Sequence, residues 1–117
     1  MAEITRKGGN GRYSAVVEHN GILYLAGQVG EDMGADIGQQ TKETLARIEE
    51  LLEASGSDKN HILSAIVYVA NMAEAPGMNK VWDAWVTPGN EPARACVEAA
   101  MFSPSCRVEI SVVAAKK

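Results

Sequence analysis

The spacing of apolar residues predicts strands near the amino terminus. Residues 13–19 and 22–29 are two apolar runs of residue types that favour strands, and Asn20-Gly21 separates them. Asn-Gly between two such runs is a strong signal for a hairpin, because both residues accept positive φ angles. We therefore expect an antiparallel hairpin, preceded by a flexible loop at the glycine-rich residues 8–11.

The hydrophobic period then changes to that of a helix. Between residues 37 and 52 one stripe of positions recurs at spacings of four, four, three and four residues, which is typical of one helix face. Gly56 follows and suits the left-handed conformation that often ends a helix. A second, shorter helix is predicted to begin at Pro76 and to end near residues 87–89. The stripe of the first helix is Ile37, Thr41, Leu45, Ile48 and Leu52.

Three further segments are predicted to be strands. Residues 62–69 are nearly all apolar or small, which predicts a strand covered on both faces. Residues 92–101 and 107–114 are expected to pair as a hairpin around a turn at residues 103–105. The order ββαβαββ predicts an α+β fold with two helices on one face of a mostly antiparallel sheet. Nothing in the chain is left to cover the other, apolar face, so we expect a closed oligomer.

Composition bounds the class of protein and its partners. The 117 residues form one domain, residues 1–117, of ordinary globular composition with 46% hydrophobic and 22% charged residues. A net charge of −4 argues against binding to nucleic acid and against attraction to an anionic membrane surface. No apolar run reaches the ~20 residues of a membrane-spanning helix, and the amino terminus lacks a secretory signal. We therefore expect a cytoplasmic protein with no nucleic-acid or membrane partner.

The segment at residues 92–98 contains the most informative side chains. Alternation along a strand places Arg94, Cys96 and Glu98 on one face. If the last two strands pair as expected, Glu109 lies near Glu98, and all four side chains share one sheet surface. Arg94 would then bind a carboxylate with two parallel hydrogen bonds, and Glu109 would orient water or move a proton. Spacing alone favours the alternative of an ordinary Arg–Glu ion pair on a solvated face.

Other reactive residue types give weaker signals. Cys96 has no nearby histidine in the sequence, so a buried, inert thiol is favoured over a nucleophile. The two cysteines, Cys96 and Cys106, have neither metal-ligand nor redox spacing, which is typical of a reducing cytosol. His19 and His61 lack supporting ligands at suitable spacing, so no metal site is predicted.

Two motifs lie in the last quarter of the chain, Pro92-Ala93-Arg94-Ala95-Cys96-Val97-Glu98 and Val108-Glu109-Ile110. They resemble the signature of the Rid family of reactive intermediate deaminases, also called YjgF-like or endoribonuclease L-PSP-like proteins. Further matches lie at residues 11–14, at residues 25–29 and at Asn79, so the resemblance covers nearly the whole chain. It implies a chorismate-mutase-like fold assembled as a homotrimer, with active-site clefts between subunits.

The resemblance also implies an activity and the roles of individual residues. Members of the family hydrolyse enamines and imines, such as 2-aminoacrylate, to 2-oxo acids and ammonia without a cofactor. Arg94 would hold the substrate carboxylate, and Glu109 would position the hydrolytic water. The other implied cleft residues are Tyr13, Gly27, Asn79, Ala95 and Cys96.

One departure and three alternatives leave the function open at this point. Ala26 stands where a small hydroxyl residue is common in the family, so the substrate preference is undetermined. The first alternative is a trimer of the same fold that binds small metabolites without turnover. The second is an endoribonuclease or translation inhibitor, against which the net charge of −4 and the single phenylalanine argue. The third, for which no specific residue argues, is a chaperone-like trimer.

Overall fold

Two helices cover one face of a six-stranded, mostly antiparallel sheet in the computed structural model, which describes residues 3–117. This arrangement confirms the α+β architecture, and the first strand is an addition to the predicted order. That strand was not predicted because its four residues are all exposed and carry no alternation of apolar positions. The elements are β1 (Ile4–Lys7), β2 (Val16–His19), β3 (Ile22–Leu25), α1 (Ile37–Ala54), β4 (Ile62–Val69), α2 (Ala75–Trp85), β5 (Ala93–Glu98) and β6 (Val108–Ala115).

The predicted hairpin joins β2 and β3. Asn20 and Gly21 both adopt positive φ angles, 54° and 76°, as the turn requires. Both strands are shorter than predicted. On the amino-terminal side, the side chain of Asn10 accepts hydrogen bonds from the backbone N–H groups of Arg12 and Tyr13, which makes this segment a turn.

The two helices pack through the residues that the sequence pattern indicates. All five residues of the α1 stripe are buried, and Asp36 caps the helix by accepting a hydrogen bond from the backbone of Gln39. Pro76 lies in the first turn of α2. A Cβ atom at Gly77 would lie 2.9 Å from Ile37 Cγ2, so glycine at this position permits the close approach of the two helices. None of the helices in residues 3–117 has the length and apolar character required to span a bilayer.

The strand order β1-β2-β3-β6-β4-β5 contradicts the predicted pairing of the last two strands. β4 lies between β5 and β6, antiparallel to β6 and parallel to β5. The hairpin prediction assumed that strands adjacent in sequence are neighbours in the sheet, which is common but not general. Here the parallel β4–β5 pair is joined by α2, as parallel strands require a crossover connection, and β5 therefore occupies the edge.

The side of the sheet opposite the helices, here called the open face, is uncovered in the single chain. Ile66 on β4 and Val97 on β5 are each 40% exposed there, so the prediction that β4 is covered on both faces is wrong for one subunit. The prediction of an uncovered apolar face is confirmed. The other face of the sheet, which α1 and α2 cover, contributes most of the buried core.

A buried glutamine of α1, Gln40, connects two loops, one that precedes α1 and one that precedes β6. Gln40 on α1 is fully buried, and its Nε2 donates hydrogen bonds to the carbonyl oxygens of Ala35, at 3.1 Å, and Ser105, at 3.0 Å. Its Oε1 accepts a hydrogen bond from the backbone N–H of Arg107 at 2.9 Å. One side chain thus links the loop before α1 to the loop before β6.

The substitution Gln40→Leu should strongly destabilise the protein, because it removes the hydrogen-bond partner of three backbone groups that contact a fully buried side chain. We expect a loss of about 2–4 kcal/mol in the free energy of unfolding, measured by urea denaturation. Gln39→Leu, at the neighbouring exposed position, is the matched control. It loses only the exposed hydrogen bond from Gln39 Nε2 to Glu43 Oε2, at 3.0 Å, and should change stability by less than about 0.5 kcal/mol. Equal effects of the two substitutions would show that the Gln40 hydrogen bonds contribute little.

Candidate active site

The centre of the candidate site is the contact between Gly27 and Glu109. Glu109 lies on the open face of β6, because Val108 and Ile110 on either side of it point into the core. Backbone hydrogen bonds in both directions join Gln28 to Ile110, at 2.9 and 3.0 Å, and bring Gly27 against the Glu109 side chain. A Cβ atom at residue 27 would overlap Glu109 Oε2 and lie 2.9 Å from its Cδ. Only glycine leaves the carboxylate in this position.

A cavity of about 490 Å³ opens beside this carboxylate. This volume is within the range of small-molecule binding sites. A second cavity of about 360 Å³, which also contacts Gly27 and Glu109, lies towards Tyr68 and Ser111 on the neighbouring strands. Glu109 therefore lines both cavities. The larger cavity is lined by Tyr13, Ala26, Gly27, Val29, Phe102 and Glu109.

Tyr13 reaches the larger cavity from the loop between β1 and β2. The turn held by the Asn10 side chain is closed further by a backbone hydrogen bond from Asn10 to the Tyr13 carbonyl oxygen at 3.1 Å. Tyr13 is 57% exposed. The structure thus brings together three of the predicted site residues, Tyr13, Gly27 and Glu109.

Arg94 lies on the opposite face of the sheet from Glu109. The alternation predicted for β5 is confirmed, with Arg94 and Cys96 on the helix side. The Arg94 guanidinium carbon lies 5.1 Å from the centre of the Trp82 ring, and its Nη1 is 3.7 Å from Met78 Sδ, both on α2. Arg94 is nevertheless exposed, because β5 is the edge strand. The expectation that Arg94 and Glu109 share one surface is wrong, since Arg94 pairs with the core-facing Ala65 of β4 and Glu109 pairs with Tyr68 on its open face.

The remaining predicted site residues lie around β5 and α2. Ala95 is on the open face of β5, and Cys96 is partly buried against the core. Asn79 is on α2 next to Met78, and its Oδ1 is buried without a hydrogen-bond partner among residues 3–117. Glu98 does not approach Glu109. Its carboxylate instead accepts a hydrogen bond from the backbone N–H of Met72 at 2.8 Å.

The other titratable groups singled out by the sequence lie outside these clusters. His61 Nδ1 is 2.7 Å from Asp58 Oδ1, and this hydrogen bond lowers the pKa of the Asp58 carboxyl. Cys106 is the more deeply buried of the two free cysteines, and burial raises the pKa of its thiol. Within residues 3–117, no three His, Cys, Asp or Glu side chains are grouped as metal ligands.

The comparison with known proteins identifies the family. The family model described as Endoribonuclease L-PSP matches residues 4–116. The chain belongs to this family, also known as the YjgF or Rid family. A member of the YjgF family from Neisseria meningitidis has a solved structure that matches with a TM-score of 0.95 and 45% identity, covering 98% of this chain and 96% of that one.

Curated relatives agree with this membership of the YjgF/Rid family. A RutC family protein from Haemophilus ducreyi is 47% identical over 96% of this chain and 96% of its own length. A mouse relative, named 2-iminobutanoate/2-iminopropanoate deaminase, is 30% identical over 89% of this chain and 81% of its own length. The resemblance inferred from the sequence motifs is therefore confirmed at the level of the family.

Two residues of the larger cavity were missed by the sequence reasoning. Val29 lies within the matched segment 25–29 without an implied role, Phe102 belongs to no recognised motif, and the sequence does not show that their loops meet. A lone phenylalanine in a turn segment rich in serine and proline is an unusual signal that, in retrospect, indicates a surface role. Phe102 is 70% exposed and lies on the loop between β5 and β6.

The substitution Gly27→Ala should displace the Glu109 carboxylate while leaving the fold intact. The overlapping atoms belong to the end of a flexible side chain, so we expect a stability change of less than about 1 kcal/mol. A crystal structure of the variant should show the carboxylate moved away from residue 27. Gly34→Ala is the control, because its Cβ would meet only Asp32 Oδ1, at 3.4 Å. An unmoved Glu109 carboxylate in Gly27→Ala would contradict the contact described here.

Proposed function

We propose that this protein is an enamine and imine deaminase that converts 2-imino acids to 2-oxo acids and ammonia. The observation that carries the proposal is the Glu109 carboxylate, which the close contact with Gly27 fixes on the wall of an open cavity. A positioned carboxylate is suited to general acid–base catalysis. The name of the mouse relative supports the same reaction class. Two free cysteines suit the cytoplasmic location that we also propose.

A complete site requires a second copy of the chain. Arg94 and Glu109 lie on opposite faces of one sheet, so a single chain cannot place both around one small substrate. The uncovered open face offers the surface for association, and we propose a homotrimer. In it, the β5 edge of one subunit faces the Glu109 cavity of the next. Asn79 and Cys96, on the same side of the sheet as Arg94, then contribute to the same cleft.

Arg94 is suited to anchoring the substrate. A guanidinium stays charged and binds a planar carboxylate with two parallel hydrogen bonds. Its packing on the Trp82 ring holds it in place through a cation–π contact, so less side-chain freedom is lost on binding. In a protein with a net charge of −4, such a local cation is needed to attract an anionic substrate.

The reaction needs only positioning and proton transfer. The oxygen of a water molecule bonds to the imine carbon, and Glu109 carries the water proton to the imine nitrogen, which gives a carbinolamine. Glu109 then takes the hydroxyl proton and returns it to the nitrogen as the C–N bond breaks, releasing ammonia and the 2-oxo acid. An enamine reaches the same imine when its terminal carbon gains a proton and its nitrogen loses one. Proximity and general acid–base catalysis account for these steps.

Loss of the Arg94 guanidinium should abolish most of the deaminase activity without dissociating the proposed trimer. We expect kcat/KM for imine hydrolysis to fall about 100-fold in Arg94→Ala and to stay low in Arg94→Lys, because an ammonium cannot replace the two-pronged contact. The imine is generated in situ by an amino-acid oxidase. Its hydrolysis is followed by chemically trapping, at successive times, the imine that has not yet reacted. Arg47→Ala, at an exposed arginine of α1, is the control. Full activity in Arg94→Ala would overturn the proposed role.

Mixing two inactive variants tests whether the site spans subunits. Arg94→Ala and Glu109→Gln are unfolded together in equal amounts and refolded. In a trimer with one Arg94 and one Glu109 from different subunits at each site, about a quarter of the sites regain both side chains. Activity should return to about that fraction of the wild-type value. No recovery, with native mass spectrometry showing mixed trimers, would mean that both groups act within one subunit.

The same experiments separate the deaminase from its alternatives. Saturable binding of 2-oxo acids with no acceleration of imine decay would indicate a binding module rather than an enzyme. Cleavage of RNA that persists at high salt and is lost in Arg94→Ala would instead support an endoribonuclease.

A further inference from the structure

The lining of the larger cavity contains both polar and apolar side chains. Glu109 and Tyr13 are the polar residues, whereas Ala26, Val29 and Phe102 are the apolar ones, here called the apolar wall. In the single chain this cavity has a volume of about 490 Å³, part of which the β5 edge of the next subunit occupies in the proposed trimer. The three apolar side chains of the wall provide a surface for an apolar group attached to the reacting carbon.

Hydrogen bonds fix the chain on both sides of this wall. After Val29, the Glu43 carboxylate accepts hydrogen bonds from the backbone N–H groups of Glu31, at 2.8 Å, and Asp32, at 2.9 Å. These two hydrogen bonds, the one from the Asp32 N–H first, lower the pKa of the Glu43 carboxyl. After Phe102, the chain is tied to Gln40 through Ser105. A wall supported in this way can select by shape and polarity.

We propose that this wall makes the protein selective for 2-imino acids with apolar side chains of several carbon atoms, and that Phe102 is a specificity-determining residue. The inference rests on the proposed function, because it assumes that Glu109 acts at the imine carbon. With the carboxylate held by Arg94 of the next subunit and the imine carbon at Glu109, the substrate side chain extends along Ala26, Val29 and Phe102.

The absence of a hydroxyl at position 26 strengthens this assignment. A polar substrate side chain placed against Ala26, Val29 and Phe102 would lose its hydration and gain no hydrogen-bond partner from the wall. An apolar side chain gains by leaving water. Each buried methylene group favours binding about fourfold.

Three imines separate size from polarity in the test. They are generated in situ from alanine, leucine and asparagine, and kcat/KM is measured for each. The leucine and asparagine side chains are similar in size, so the ratio of kcat/KM between their imines reports the effect of polarity. The ratio between the leucine-derived and alanine-derived imines reports the effect of size. We expect the leucine-derived imine to be preferred over each of the others by about tenfold or more.

Variants then assign the preference to the wall. Phe102→Ala should lower the leucine-to-alanine ratio about fivefold to tenfold, because the larger substrate loses more contact area. The leucine-to-alanine ratio of Phe102→Leu should lie between the ratios of Phe102→Ala and the wild type. Ile4→Ala, at an exposed apolar residue that lines neither cavity, is the control and should keep the wild-type ratio. Phe102 is exposed, so urea denaturation should confirm that its variants fold normally.

Each outcome decides one of the two proposals. Rapid hydrolysis with equal kcat/KM values for the three imines, or a ratio unaltered in Phe102→Ala, would overturn the selectivity and leave the deaminase intact. Hydrolysis of none of the three imines would overturn the proposed function itself, and the selectivity with it. A leucine preference that is reduced in Phe102→Ala supports both.

Discussion

The position of β4 between β5 and β6 determines what a single chain can do. β4 pairs along its length with both neighbours, antiparallel to β6 and parallel to β5. Because side chains alternate between the two faces of a strand, these pairings fix Arg94 on the helix side and Glu109 on the open face. No loop movement can bring the two groups to one small ligand, since a change of face would need a register shift in a buried sheet.

Local features of the fold could be predicted from the sequence, and the strand neighbours could not. The α1 stripe, the Asn20-Gly21 turn and the alternation around Arg94 each depend on a few adjacent residues. β1 was missed because an exposed edge strand has no buried side to produce a pattern. The partner of β5 was missed because two arrangements satisfy the same alternation, and only the crossover through α2 distinguishes them.

The candidate site shows the same division. Family resemblance pointed to Gly27 and Glu109 separately, whereas the reason for a glycine is the approach of the two segments at the Gln28–Ile110 bridge. The apolar wall with Phe102 depends on loops that meet only in the folded chain. Such a wall could not be predicted from spacing, because Phe102 shares neither a period nor a motif with Ala26 and Val29.

A site divided between subunits also avoids a cost that a single-chain site would incur. Burying an arginine and a glutamate in one folded monomer would require desolvation of both charges, which their mutual attraction often fails to offset. In the free chain, Arg94 is exposed at an edge strand and Glu109 lines an open cavity, so both retain water. In the proposed trimer they lose it only where a substrate carboxylate can pair with the guanidinium. The proposed division of the site therefore allows each subunit to fold without burying either charge, because the sheet keeps Arg94 and Glu109 on opposite faces.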